Sequence, residues 1–187
     1  GPAVDQDNHS RSWGNRTAGR TGVWVNGAFT RDSLLKALKA NRTFASEDSS
    51  LSVWFSVGGE PMGSRLALPA TGKLALEVAA KDEGEPGARY AVELFREIVG
   101  DGRLPEPVEK SGLLNDGEAW RQSLEQDEEG VVAYLAKVTQ FGTGKPDTVW
   151  TSPIWVEPAA SPLEAEEEAH EGEETPGVRF VGSKARG

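Results

Sequence analysis

Asp7 and His9 are the residues of this sequence best suited to chemistry. They stand two positions apart in Asp5-Gln6-Asp7-Asn8-His9, and His9 is one of only 2 histidines. On an extended segment, positions i and i+2 point the same way. A carboxylate and an imidazole would then face one point in space. An oxygen donor beside a nitrogen donor suits Zn, Mn or Fe. A catalytic metal needs at least three protein ligands, so the pair alone is a weak signal. The plain alternative is a polar loop with a surface histidine. The other histidine, His170, sits in a glutamate-rich run and reads as a solvated spacer. Arg11, Arg16 and Arg20 follow the pair closely. Their charge suggests contacts to phosphate, since the planar guanidinium suits bidentate phosphate recognition.

Other chemistries find little support. The chain has 0 cysteines, which excludes disulfides and thiolate metal sites and leaves the compartment open. No GxSxG motif occurs, and His9 has no identifiable triad partner. The Gly-Thr-Gly at 142–144 lacks the following G-K-[ST] of a phosphate loop. No apolar run approaches the length of a membrane span, and no signal peptide is visible. The native start is expected upstream, because the chain opens abruptly on the candidate site.

The elements that must position these residues are mostly strands. The 187 residues suggest one domain, or one domain plus a tail, with room for a core. Net charge is -10, which argues against a free nucleic-acid-binding domain. That charge is uneven: residues 1–42 carry Arg11, Arg16, Arg20, Arg31, Lys36, Lys39 and Arg42 against Asp5, Asp7 and Asp32. A local cationic site near the start is compatible with this pattern.

Residues 21–25 read as a short strand. Thr30 is a plausible N-cap for a helix over about 31–41. Leu34, Leu35, Leu38 and Ala37 would share its apolar face, and Asn41 would end it. The period then changes to two. Leu51, Val53, Phe55 and Val57 alternate with Ser52, Trp54 and Ser56. Residues 74–79, 90–99 and 131–141 continue as strands, with 131–141 the strongest signal. Residues 82–88 and 100–107 read as loops, and Trp120 and Leu124 as strand or short helix. Residues 149–156 close the series, with Pro153 marking an edge or a bend. Pro61-Met62-Gly63-Ser64 reads as a structural turn. Trp24, Trp54, Trp150 and Trp155 fall at strand spacing and are expected in the core, with an exposed sugar- or partner-binding patch as the alternative. Strands joined by turns over this length predict an antiparallel sandwich. Residues 158–177 are glutamate-rich and predict a solvated tail, and residues 178–183 turn apolar again, like the start of a further strand.

Several runs together carry a family resemblance. DQDNHSRSWGNRTAGRTGVWV, then TRDSLLKALKANRTFAS, then a strand ending in GGEPMGS, resembles the C-terminal part of metallohydrolases of the PHP (polymerase and histidinol phosphatase) superfamily. YLAKVTQFGTGKPDTVWTSPIWVEP is similar to the end of the β-sandwich that follows the barrel in one branch of that family. The resemblance covers about residues 3–157. It implies a distorted β/α barrel holding a metal cluster, and phosphoester hydrolysis. A late Asp-x-His on the last barrel strand supplies metal ligands in such enzymes, and Asp7 and His9 match it. The early His-x-His pair, the central Glu and the middle histidines of the family have no counterpart here.

The expected architecture is therefore mainly β. An antiparallel, Ig-like β-sandwich at 49–157 follows a strand-helix remnant of a PHP-type barrel at 1–48, and a disordered acidic tail fills 158–187. The expected function is that of a C-terminal fragment of a metal-dependent phosphoesterase, inactive alone. Its cofactor in the longer protein would be divalent Mn, Zn or Fe, with none required in the fragment. Its partners would be the rest of the barrel and a phosphomonoester or phosphodiester substrate, nucleic acid included, with no membrane. The competing expectation is a non-catalytic β-sandwich module that binds a protein or ligand.

Overall fold

Alternating apolar residues, the dominant pattern of this chain, become strands whose inward rows build one core. The computed structural model describes residues 1–7, 9, 11, 15–68, 72–126 and 130–158. Its elements run β1 (Arg20–Val23), α1 (Arg31–Lys39), β2 (Thr43–Ser46), β3 (Leu51–Val57), β4 (Glu60–Pro61), β5 (Arg65–Leu68) and β6 (Gly72–Asp82). They continue as β7 (Arg89–Ile98), β8 (Glu106–Lys110), β9 (Ala119–Gln126), β10 (Val132–Phe141), β11 (Asp147–Thr151) and β12 (Ile154–Pro158). Apart from Pro158, the expected acidic tail lies outside the described residues.

Two sheets form, and the fold is mainly β as the alternation predicts. One sheet is 4-stranded in the order β4-β3-β6-β9. The other is 8-stranded, with β1-β2-β11-β10-β12-β5 along its main path, β7 joined to β10 and β8 joined to β7. Pairing is antiparallel except between β12 and β5. Inward rows from both sheets meet in a single cluster: Val53 and Phe55 of β3, Leu76 and Val78 of β6, Val92 and Leu94 of β7, and Tyr134 and Val138 of β10. Period-two side chains thus cover each sheet on one face, the sandwich solution to burying apolar surface.

Strand β10 is the spine of the larger sheet. It pairs with β7 along its whole length on one side. On the other side it pairs with β11 over Lys137–Gln140 and with β12 over Val132–Tyr134. Ser152 and Pro153 separate the two, so the single strand expected at 149–156 is two strands with a bend at Pro153. Proline has no N–H for a ladder, which explains the break there. The neighbouring donors are satisfied elsewhere: Ser152 N donates to Thr43 O at 2.9 Å and Trp155 N to Ser64 O at 3.0 Å.

Helix α1 matches its expected span, but its apolar residues divide. Thr30 caps it: Ser33 N donates to Thr30 Oγ1 at 3.1 Å, and Thr30 N donates to Ser33 Oγ at 2.8 Å. Asn41 has left the helix with φ 53. Ala37 is buried and Leu34 half-buried, whereas Leu35 and Leu38 are 41% and 42% exposed. The shared apolar face expected of all four residues is not formed.

The segment before β3 is bound into the larger sheet. β1 pairs with β2, and β2 pairs with β11 through Ser46, Ala45 and Phe44. The structural turn expected at Pro61-Met62-Gly63-Ser64 fits this frame. Met62 is fully buried, its N–H donates to Phe55 O at 2.9 Å, and Gly63 N donates to Pro153 O at 3.0 Å.

Candidate functional site

The first residues are strapped across the sheet before the candidate ligands appear. Val4 N donates to Thr21 Oγ1 at 2.9 Å, and the Gln6 amide donates to the carbonyls of Thr17 and Gly19, both at 3.3 Å. Thr43 Oγ1 reaches Pro2 O at 3.2 Å. The chain then turns outward. Asp7 N donates to Asp5 Oδ1 at 3.0 Å, and Asp7 takes φ 41, a left-handed conformation that aspartate tolerates better than most residues.

The structure brings Asp7 and His9 together. Asp7 Oδ1 and His9 Nε2 lie 2.8 Å apart, with the two side chains 84% and 83% exposed. The residues sit in a loop with positive φ at Asp7, so the approach does not come from the i, i+2 alignment of an extended segment. Asn8 between them lies outside the described residues. An oxygen and a nitrogen side by side are chemically suited to one divalent ion. Among the described residues, no group of three or more His, Cys, Asp and Glu is placed to hold a metal. The pair therefore supplies two donors of the right kind, and the described part of the chain supplies no third beside them. As a contact between exposed groups, the pair contributes little to stability.

The arginines divide. Arg11 and Arg16 are exposed. Arg20 is committed to its own loop, where its guanidinium donates to Thr17 O at 2.9 Å and to Gly19 O at 2.7 Å. That bond set fixes the loop and leaves Arg20 less free for a ligand than its charge alone implies.

A second titratable cluster closes one end of the sandwich, and the sequence did not point to it. Asp82 is the last inward residue of β6 and Gln140 the last of β10. Both are buried, and Gln140 Nε2 donates to Asp82 Oδ2 at 2.7 Å, tying one sheet to the other. Tyr90 Oη donates to Asp116 Oδ1 at 2.8 Å, and Asp82 N donates to the same oxygen at 2.9 Å. Burial raises the Asp82 pKa, but bonds from the side chains of Gln140 and Ser50 and the N–H groups of Gly84 and Glu85 outweigh it. The carboxyl is held below its ordinary value. Burial pushes the Tyr90 hydroxyl well above its ordinary value, and its bond to Asp116 adds to this. Across from Gln140, Asp147 is raised by burial and then by the Asp48 and Glu47 carboxylates, against Lys145. The Gln140–Asp82 bond clasps the two sheets, a structural role.

A third feature lies on the outside. The four tryptophans expected in the core behave differently. Trp24 and Trp54 are half-buried, Trp150 is 36% exposed against Phe95, and Trp155 lies half-buried under Arg65. Trp120 is the buried one among the described residues. Trp54 occupies the outward row of β3, between the buried Val53 and Phe55. Its ring meets Trp24 edge to face, with centroids 5.4 Å apart and planes at 88°. Trp24 Nε1 donates to Val53 O at 2.6 Å, which pins the ring across the end of the sandwich. The two rings, with Asn26, Arg42, Glu60 and Pro61, line a groove of about 320 Å³. The signal was available in the sequence: in a period-two strand, Trp54 must face away from Val53 and Phe55.

Comparison with known protein families finds no matching model, and comparison with curated proteins finds no match.

Proposed function

We propose that this chain is the C-terminal part of a PHP-type metal-dependent phosphoesterase, in which Asp7 and His9 are two of the metal ligands. The observation that carries the proposal is the 2.8 Å approach of the Asp7 carboxylate to the His9 imidazole on a strapped, solvent-facing loop. Both side chains are solvated, so each can turn toward a shared ion without leaving a buried group unpaired. Helix α1 supports the same reading. Leu35 and Leu38 on it, with Phe29 at 78% exposure just before it, form an apolar flank that the sandwich leaves uncovered. A strand-helix unit of a β/α barrel would present such a flank to its neighbours.

In the complete site, the remaining ligands come from the rest of the barrel. The metal would be Mn, Zn or Fe, with Asp7 and His9 among the residues holding it, and it would supply Lewis acidity for activating water and offsetting phosphate charge. Asp7 would contribute a carboxylate oxygen and His9 an imidazole nitrogen. Arg11 and Arg16, exposed nearby in sequence, suit the phosphate of a monoester or diester, nucleic acid included. Arg20 serves the loop that presents them. A second reading, a ligand-binding sandwich without catalysis, is favoured by the groove at Trp24 and Trp54 and is compatible with the first.

Manganese titration followed by NMR tests the ligand assignment on the chain itself. Paramagnetic broadening is expected first at Asp7 and His9, with affinity on the order of millimolar for a two-donor site. Asp7→Asn is expected to weaken it severalfold. Broadening centred on the Glu47, Asp48 and Asp147 carboxylates, with His9 unaffected, would refute the assignment.

A further inference from the structure

The groove lined by Trp24, Trp54 and their neighbours plays no part in the proposed phosphoester chemistry. We propose that it is a binding site for a neutral saccharide. Two tryptophan rings packed edge to face, at 88° to each other, line it side by side. The indole N–H of Trp24 is already committed to Val53 O, so its ring offers flat carbon surface and no donor. Such a surface matches the C–H face of a pyranose ring.

The polar rim decides among ligand classes. Arg42 donates only, the Glu60 carboxylate accepts only, and Asn26 does both. Sugar hydroxyls donate and accept at once, so a polyol satisfies all three. The formal charges of Arg42 and Glu60 cancel, so a polyanion such as single-stranded nucleic acid gains little there. A proline-rich peptide also favours aromatic grooves. Its prolines present carbonyl acceptors without N–H donors, which leaves Glu60 unmatched.

Size and rigidity agree with a small ligand. A volume of about 320 Å³ stands at the lower end of small-molecule sites and suits one or two sugar rings. The walls are set in advance. Trp24 N donates to Arg42 O at 2.9 Å, and β4 pairs with β3 in the register Ser56–Pro61 and Val57–Glu60. A site that is preorganised loses less on binding.

The test is a titration of the protein with neutral oligosaccharides built from glucose, mannose, galactose, xylose and N-acetylglucosamine. Saturation-transfer NMR and tryptophan fluorescence give the readout. A saturable response to at least one sugar is expected, with affinity on the order of millimolar. Trp54→Ala should weaken it about tenfold or more, Glu60→Gln about threefold to tenfold, and Trp150→Ala not at all. No saturable response to any of these sugars would overturn the proposal. So would an equal response from Trp54→Ala, or a response only to a proline-rich peptide or to single-stranded DNA. If Trp54→Ala does not fold, the exposed Glu60→Gln and Asn26→Ala variants decide: unchanged sugar affinity in both would overturn it.

Discussion

Gly63→Ala is expected to destabilise the protein by about 3 kcal/mol or more, enough to threaten a domain of ordinary stability. Gly63 has φ 88, a conformation that alanine adopts only with strain. Space compounds the strain. A Cβ at this position would run into the carbonyl oxygen of Ala40 and come within 2.6 Å of Asn41 O and 2.7 Å of Asn41 C. These are backbone atoms at the C-terminal end of α1, so no side-chain rotation relieves the contact. Gly63 N is meanwhile held by Pro153 O at 3.0 Å, between β11 and β12. The glycine is thus the spacer that lets helix end, turn and split strand pack together. Urea unfolding should show a lower midpoint with an unchanged slope. A loss under about 1 kcal/mol would mean that α1 is not seated on this turn in solution.

Asp82→Ala is expected to cost about 3 kcal/mol at neutral pH. Asp82 is buried, and its carboxylate receives Gln140 Nε2 at 2.7 Å and Gly84 N at 2.7 Å. Alanine would leave those donors facing the end of the core without an acceptor. The buried Oε1 of Gln140 already lacks a partner, so a turn of the amide cannot repair the loss without a new donor. The pH dependence follows from the lowered folded-state pKa. A depressed carboxyl pKa adds stability that is complete above the unfolded value, about 4, and disappears as pH falls through the folded value. The gap between wild type and Asp82→Ala should therefore be constant between about pH 5 and 7 and shrink below about pH 4. Asp147 acts in the opposite sense. Its raised pKa means that the folded state binds the proton more tightly, so its ionisation costs stability above the folded value and that cost vanishes at low pH. Chemical denaturation of wild type and variant across this range separates the two effects. A gap that stays constant through pH 3 would show that Asp82 is not held ionised by these bonds.

Much of the sandwich was legible because its inward rows follow strict alternation. The rows at Leu51, Val53, Phe55 and Val57 and at Leu74, Leu76 and Val78 are buried as expected. Pro153 divides its strand for the reason proline always resists a ladder. What escaped was short, polar or at an edge. Residues 106–110 carry Pro107 and three charged residues, and the first two fell within the loop expected at 100–107, yet the segment pairs with β7 as an edge strand. Charges and proline are what edge strands use to avoid further pairing. The four-residue β2 belongs to the larger sheet but has too few residues to show a period. Asp82 escaped for a different reason. Its inward position continues the row through Val78 and Ala80, but the following Glu-Gly-Glu-Pro suggested a loop.

The candidate site was legible in its residue types and less so in its geometry. Two-residue spacing does bring Asp7 and His9 into contact, but through positive φ at Asp7, which spacing does not encode. The role of Arg20 could not be read from charge, because its partners are carbonyls of its own loop. Helix α1 was placed correctly while its exposed flank was not, because helical spacing cannot say which neighbours are near enough to cover it.

The central claim is that Asp7 and His9 belong to a phosphoesterase centre completed by residues outside the described chain. The most direct measurement is manganese-dependent hydrolysis of bis-p-nitrophenyl phosphate and of a phosphomonoester by the full-length phosphoesterase that the proposal postulates, with and without His9→Ala. The account predicts metal-dependent turnover in the parent and a loss of about a hundredfold or more in His9→Ala, with both proteins folded and the 187-residue chain alone at background. Undiminished turnover in His9→Ala, or no metal-dependent hydrolysis by the parent, would contradict it.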